Sequence, residues 1–496
     1  MRRGSLPVRK LVSTVVTVTL LLATASCTGR SPEDRFGPVD EDPYSESALR
    51  YGMAPVPHPD LTYQPDVVLV GGGGRSVRSV TADGLTWRID GVAPRADDLA
   101  PGKIMFVTGR GVGRVLDLQR EQGDLLVTIG PVTVTDVIRD GTLEKQGIVI
   151  ENPVAYQAGE PLWAAPEEAA DALPTPSGKV GRGAPLGLAP LPPRPEQPAP
   201  IRGGGEVKSV VANFSTGVSL NSGASVSFNY DRNNTKLFGR AALTFDRPTA
   251  DFHLTIKGGS VTRADLSISG GFGVRYSFEA GLDDGQNIRA VLPVPVEFSI
   301  PLGTVLGVPL ALTISQTVTV TTAFGAKLGT IKGGGEFSLA GSLGYGYANG
   351  AFGPQISKNF QRKDSLINSL RGVPVGVMGL VVGHNVRFDV GFSAFVLKAG
   401  LFFELSTTYG TTMGSAMGSP VAVCRGVGLG VWASYGIGYT ILEPVVNVIN
   451  KFLSLVKISP IDSSGKLGSK PYRIHHAQEI IPPGTALCGD PLSFAN

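Results

Sequence analysis

Apolar and polar positions alternate through much of this chain. From Ala264 to Phe278, one side reads Ala264, Leu266, Ile268, Gly270, Phe272, Val274, Tyr276 and Phe278. The other reads Asp265, Ser267, Ser269, Gly271, Gly273, Arg275 and Ser277. A period of two held over this length satisfies a strand and no helix. "ASVSFNYD", "ALTF", "FHLTI", "SQTVTVTTAF" and "VRFDVGFSAFV" repeat it, with Ser, Thr and Gly on the polar side and few charges. The stretch 206–496 is therefore expected to be a large antiparallel β domain. Its apolar face must be hidden by a curved sheet, a sandwich or an open barrel. The adjacent Gly270 and Gly271 predict a bend or bulge. Pro293, Pro295, Pro301 and Pro309 place their region at the border of the sheet.

A second, smaller β pattern covers 61–156. "DVVLV", "LTWRID", "KIMFVTG", "GRVLDLQ" and "DLLVTIGPVTV" read as strands separated by Gly, Pro or Asp turns. One helical turn is expected in "TVTDVIRDGTL", capped by Thr135 or Asp136 and ended by Gly141. Between the two β regions lies a linker, 157–205. Eleven of the forty residues from Pro161 to Pro200 are proline, a density that excludes sheet interiors and long helices. Within the large domain one or two covering helices are expected. "KDSLINSLRG" has Asp364 as cap and Gly372 at its end, and "ILEPVVNVINKFLSLVK" carries Val445, Ile449, Phe452 and Val456 on one stripe. The fold class is mainly β.

The first residues read as an address. "MRRGSLPVRK" has four positive charges and no acid, and "LVSTVVTVTLLLAT" follows as an apolar core too short to span a membrane comfortably. Residues 1–26 are thus an export signal. "TASC", Thr24 to Cys27, resembles the lipobox of the bacterial lipoprotein class, with Thr24 where Leu is usual. The resemblance is confined to this stretch. It implies that Cys27 receives diacylglycerol and fatty acid (palmitate is typical) and becomes the mature N-terminus. It also implies anchoring at the extracytoplasmic face of the cell membrane. The polar, acidic 27–60 would be a flexible tether. If Cys27 is lipidated, Cys424 and Cys488 are left in an oxidising compartment and are expected to form a disulfide.

Charge narrows the partners. Removing Arg2, Arg3, Arg9 and Lys10 leaves 40 basic against 41 acidic residues, no surplus with which to bind nucleic acid. Chemistry is sparse. "VVLVGGGGRSVRSV" begins like a dinucleotide fingerprint, but the residues after it alternate where a helix must start. A glycine loop between strands is the expectation. His475 and His476 are neighbours on a strand and face opposite ways, which excludes a shared metal. His253 and His384 sit in strand-like runs. Asp231, Asn233 and Asn234 fit a hairpin turn, and "GTIKGGGEF" lacks phosphate-loop spacing. "GSLGYGYANGAFG" reads as a glycine-rich strand packed against a neighbour.

No catalytic residue, cofactor or metal is assigned. The expected function is that of a surface-exposed lipoprotein with a non-enzymatic binding or structural role. Its partners would be the membrane and an envelope component. The alternative is a carrier of apolar ligands or lipids enclosed by the large sheet. A membrane-inserted barrel is the third reading.

Overall fold

The computed structural model describes Phe36, residues 42–157 except 82–83 and 151–153, and residues 206–441 apart from connections between strands. It also describes Val446, Asn450, and 464–492 with two breaks. The export signal, Cys27, linker residues 158–205 and most of both expected covering helices lie outside the described residues.

The N-terminal part begins with α1 (Glu46–Tyr51) and continues through β1 (Thr62–Tyr63), β2 (Val67–Leu69), β3 (Val77–Val80), β4 (Thr86–Asp90), β5 (Ile104–Phe106), β6 (Val112–Glu121) and β7 (Asp124–Gly130). After α2 (Val134–Val137) come β8 (Ile138–Val149) and β9 (Val154–Gln157). Strands follow: β10 (Glu206–Val211), β11 (Phe214–Ser219), β12 (Gly223–Arg232), β13 (Thr235–Lys257), β14 (Ser260–Leu282), β15 (Arg289–Pro293), β16 (Val296–Val305), β17 (Val308–Phe324) and β18 (Gly329–Ala348). Then follow β19 (Ala351–Ile356), β20 (Gln361–Lys363), β21 (Arg371–Val373), β22 (Val377–Ser393), β23 (Leu397–Ser415), β24 (Ala422–Ile441), β25 (Ser464–Gly468) and β26 (Tyr472–Ile481).

Three sheets result. Strands β2 to β7 make a small six-stranded sheet in the order β2-β5-β6-β7-β4-β3, with β2 and β5 parallel. An eleven-stranded sheet is built on β13, β14 and β18, and a nine-stranded sheet on β17, β22, β23 and β24. The ladders between these long strands are antiparallel, and neither sheet closes into a barrel. The 23 residues of β13 and of β14 each span roughly 75 Å at ~3.3 Å per residue.

The apolar faces of the two long sheets meet. Tyr345 of β18 stacks on Tyr435 of β24 with ring centroids 4.8 Å apart, and its hydroxyl donates to the Gly436 carbonyl at 2.9 Å. Tyr276 of β14 stacks on Tyr409 of β23 at 5.9 Å. Alternation in β14 is realised on both sides of its middle: Ala264, Leu266, Ile268, Tyr276 and Phe278 are buried, while Arg275 and Ser277 are exposed; between them Gly270, read on the apolar side, is exposed and Gly273, read on the polar side, is buried. The expected irregularity at Gly270 is a bulge on the neighbouring strand, where Arg247 and Pro248 of β13 stand against this one residue. Gly270 pairs with Gly341 of β18, with φ at 107° and 131°, values that only glycine adopts without strain. The bulge also changes the outer partner of β13, from β12 before it to β8 after it.

That change joins the two β regions. β8 pairs with β13 from Gly141 opposite Ile256 to Val149 opposite Thr249, and β9 pairs with β16. Residues 138–149 and 154–156, read from sequence as the end of the small domain, are thus strands of the long sheets. Phe106 of the small sheet packs edge-on against Phe392 of β22, centroids 5.4 Å apart, so one apolar core runs through both parts.

The tether reading of 27–60 needs correction over its second half. Ser45 caps α1, and Ala48, Leu49 and Tyr51 are buried, as is Phe36. Widely spaced apolar residues in a polar stretch hid this docking. The helical turn α2 is also capped earlier than expected, at Thr133 and not at Thr135 or Asp136. Thr133 Oγ1 accepts from the Asp136 N–H, and the Asp136 carboxylate accepts the Thr133 N–H at 2.6 Å. This reciprocal box fixes the start, and Gly141 already lies in β8. Likewise Gly372, expected to end a helix, sits in β21 opposite Ile331.

Candidate functional site

The glycine run that opens like a nucleotide fingerprint is a packing device. After β2, Gly73–Ser76 makes one tight 3-10 turn and β3 follows directly, paired with β4. The glycines admit neighbours: a Cβ on Gly71 would stand 2.8 Å from Pro94, on Gly72 2.9 Å from Phe36, on Gly73 2.7 Å from Ala54 and on Gly74 2.4 Å from Ser47. The loop is the seat of α1 and the residues around it.

The expected site residues fall as follows. Cys27 lies outside the described residues. Cys424 and Cys488 stand at disulfide distance, Sγ–Sγ 2.09 Å and Cα–Cα 6.0 Å, both buried. His475 and His476 occupy successive positions of β26, opposite Val431 and Gly430. His253 bridges β8 and β13, its Nδ1 2.8 Å from Glu144 Oε2 and its Nε2 2.9 Å from Thr255 Oγ1. The Asp231 region is a hairpin, with Arg232 pairing Thr235 across Asn233 and Asn234. The glycine-rich end of β18 lies tight on β14, where a Cβ on Gly344 would meet the Leu266 carbonyl oxygen at 2.3 Å.

Sequence reading gave His384 only a place in a strand. In the structure it is the centre of a polar seam between the long sheets. Alternation sets His384 on the inner face of β22, opposite Val318 of β17 and Thr407 of β23. Its Nε2 lies 2.9 Å from Gln316 Oε1. Oε1 only accepts, so the ring proton sits on Nε2 and Nδ1 carries a lone pair. Burial pushes the imidazole pKa down from 6.5 to about 4, so it is neutral at pH 7. The Tyr276 ring stands edge-on to it at 6.5 Å. Burial also raises the Tyr276 and Tyr409 phenols, that of Tyr276 being partly offset by the Thr407 hydroxyl.

The seam holds several polar atoms with no protein partner: Gln316 Nε2, His384 Nδ1, Tyr409 OH and Thr411 Oγ1. None of these residues is more than 4% exposed. A buried polar group left unsatisfied costs about 1–3 kcal/mol. Four of them would rival the ~5–15 kcal/mol that holds a whole domain. The only signal in the sequence was Gln316 and His384 at inward positions of apolar strands, and their pairing spans 68 residues.

A second polar group sits on the outer face of the same sheet. Arg387 grips both oxygens of Asp389 at 2.8–3.0 Å and lies over the Phe402 ring at 4.1 Å. Burial lowers its pKa most strongly of any single cause, but Asp389, with Glu404 and Glu297, together outweigh it and the net shift is upward. The pair satisfies itself. Among the described residues no group of three His, Cys, Asp or Glu side chains is arranged to hold a metal.

The family described as a domain of unknown function (DUF8402) matches residues 194–469, more than half of the chain. The chain belongs to the DUF8402 family. A second family description, domain of unknown function (DUF8403), matches residues 47–140. No curated protein and no solved structure matches the chain. The DUF8402 match contains the whole polar seam but stops short of β26 and Cys488. Most of β8 and all of β9 fall between the two matches.

Proposed function

We propose that the chain is a lipid-anchored protein of the extracytoplasmic membrane face, with a binding or structural role and no reaction of its own. The lipobox-like Thr24–Cys27 supports the anchor. What supports the role is the filled interior of the long sheets. Tyr345 on Tyr435 and Tyr276 on Tyr409 touch across them, and Phe388, Phe403 and Phe278 are at most 4% exposed. An acyl chain enclosed there would have to displace these side chains. The Cys27→Ser variant is expected to move from the membrane to the soluble fraction, and the lipid-bearing N-terminus is expected by mass spectrometry of the parent. Organic extraction of the soluble variant should release no stoichiometric lipid. Recovery of one would replace this role with carriage of apolar ligands, and an unmodified Cys27 thiol would remove the anchor.

A further inference from the structure

We propose that the seam around His384 is a hydrated site, in which ordered water bridges the two long sheets. The register lines up its polar groups. Gln316 shares a row with Val386, His384 with Thr407, Tyr409 with Val382, and Thr411 with Leu380, all on the inner face. Successive rows are two residues apart, so the line extends on the order of 20 Å along the strands.

The unpartnered atoms define what binds. Gln316 Nε2 offers only donors, His384 Nδ1 only an acceptor, and the Tyr409 and Thr411 hydroxyls either. The occupant must therefore donate and accept. It must also be neutral, because burial holds the imidazole and both phenols uncharged. It must be small, because Val386, Val382 and Leu380 crowd three of the four rows. Water meets all three demands and commonly makes about three such bonds when buried.

The facing sheet carries glycines beside the seam. On β18, Gly335 stands opposite Tyr276 and Gly333 opposite Phe278, so two inward positions have no side chain. Gly333 to Glu336 are half-buried, although they lie in mid-strand. Along that edge β21 pairs with Thr330–Lys332 and β20 with Ser338–Ala340.

The test is oxygen-17 magnetic relaxation dispersion on the soluble full-length chain, which counts long-lived internal waters. Thr411→Val and Tyr409→Phe keep the shape of each side chain and remove one hydroxyl. Each variant is expected to lower the dispersion amplitude by about one water relative to the parent. An unchanged amplitude in both variants would overturn the site, as would a parent with no long-lived water. Two independent substitutions keep the result readable if one of them fails to fold.

Discussion

His384 makes acid sensitivity a property of one residue. Its folded pKa of about 4 lies below the unfolded 6.5, so between these values the unfolded chain binds more protons. The contribution of the neutral ring is complete above about pH 6.5 and is lost as pH falls toward 4. At 1.36 kcal/mol per pKa unit the loss is on the order of 3 kcal/mol. His384→Leu is expected to be less stable at pH 7, because Gln316 loses its partner, yet to lose less on acidification. Urea midpoints at pH 7 and pH 4.5 check this. A parent and variant that fall in parallel would show that His384 is not the acid-sensitive group. Sequence patterning could place this histidine on a strand, but not against Gln316 and Tyr276, because strand register is set by partners distant in the chain.

At the scale of elements, the chain end is a strap over β23 and β24. Beyond β26, Cys488 joins Cys424, and Pro491 and Leu492 settle into a slot of glycines. A Cβ on Gly410 would lie 2.0 Å from the Pro491 carbonyl oxygen, and one on Gly428 2.6 Å from Leu492. The slot admits the tail because Gly410 and Gly428 face each other in the ladder and neither has a side chain. Gly410→Ala is expected to unseat Pro491, because the clash is with backbone. The cost should be about 1–3 kcal/mol, as for overpacking generally, and carboxypeptidase should trim the tail faster. The disulfide closes a separation of 64 residues. By chain entropy, replacing both cysteines with serine should cost about 4 kcal/mol, read as a lower guanidinium midpoint without reductant. An unaltered midpoint would mean that the slot alone holds the tail. The cysteine pair was legible by elimination once Cys27 was set aside. The slot was not, since Gly410, Gly426 and Gly428 look like any glycine-rich strand until the tail is laid across them. Alternation in β14 was the most legible feature, because it depends on burial of one face and not on the identity of the neighbour.

At the scale of the whole molecule, the chain does not divide where its composition does. The proline-rich 157–205 invites a cut between two domains, and the two family matches leave 141–193 between them. Yet β8 and β9 lie on the N-terminal side of that cut and pair with β13 and β16 on the other. A fragment 206–496 would bare the edge of β13 along Thr249–Ile256, where Phe252, Leu254 and Ile256 are now at most 4% exposed. Long uncovered edges flanked by apolar side chains recruit other chains. This fragment is therefore expected to aggregate, whereas one starting at Pro131 keeps α2, β8 and β9 and should stay soluble and monodisperse by gel filtration. Both fragments lack the small sheet, so they differ only in residues 131–205, which hold α2, β8, β9 and the linker. Equal solubility would show that β8 and β9 are dispensable attachments. A fragment from Pro131 that aggregated as readily would shift the requirement to the small sheet and to the Phe106 ring packed on Phe392.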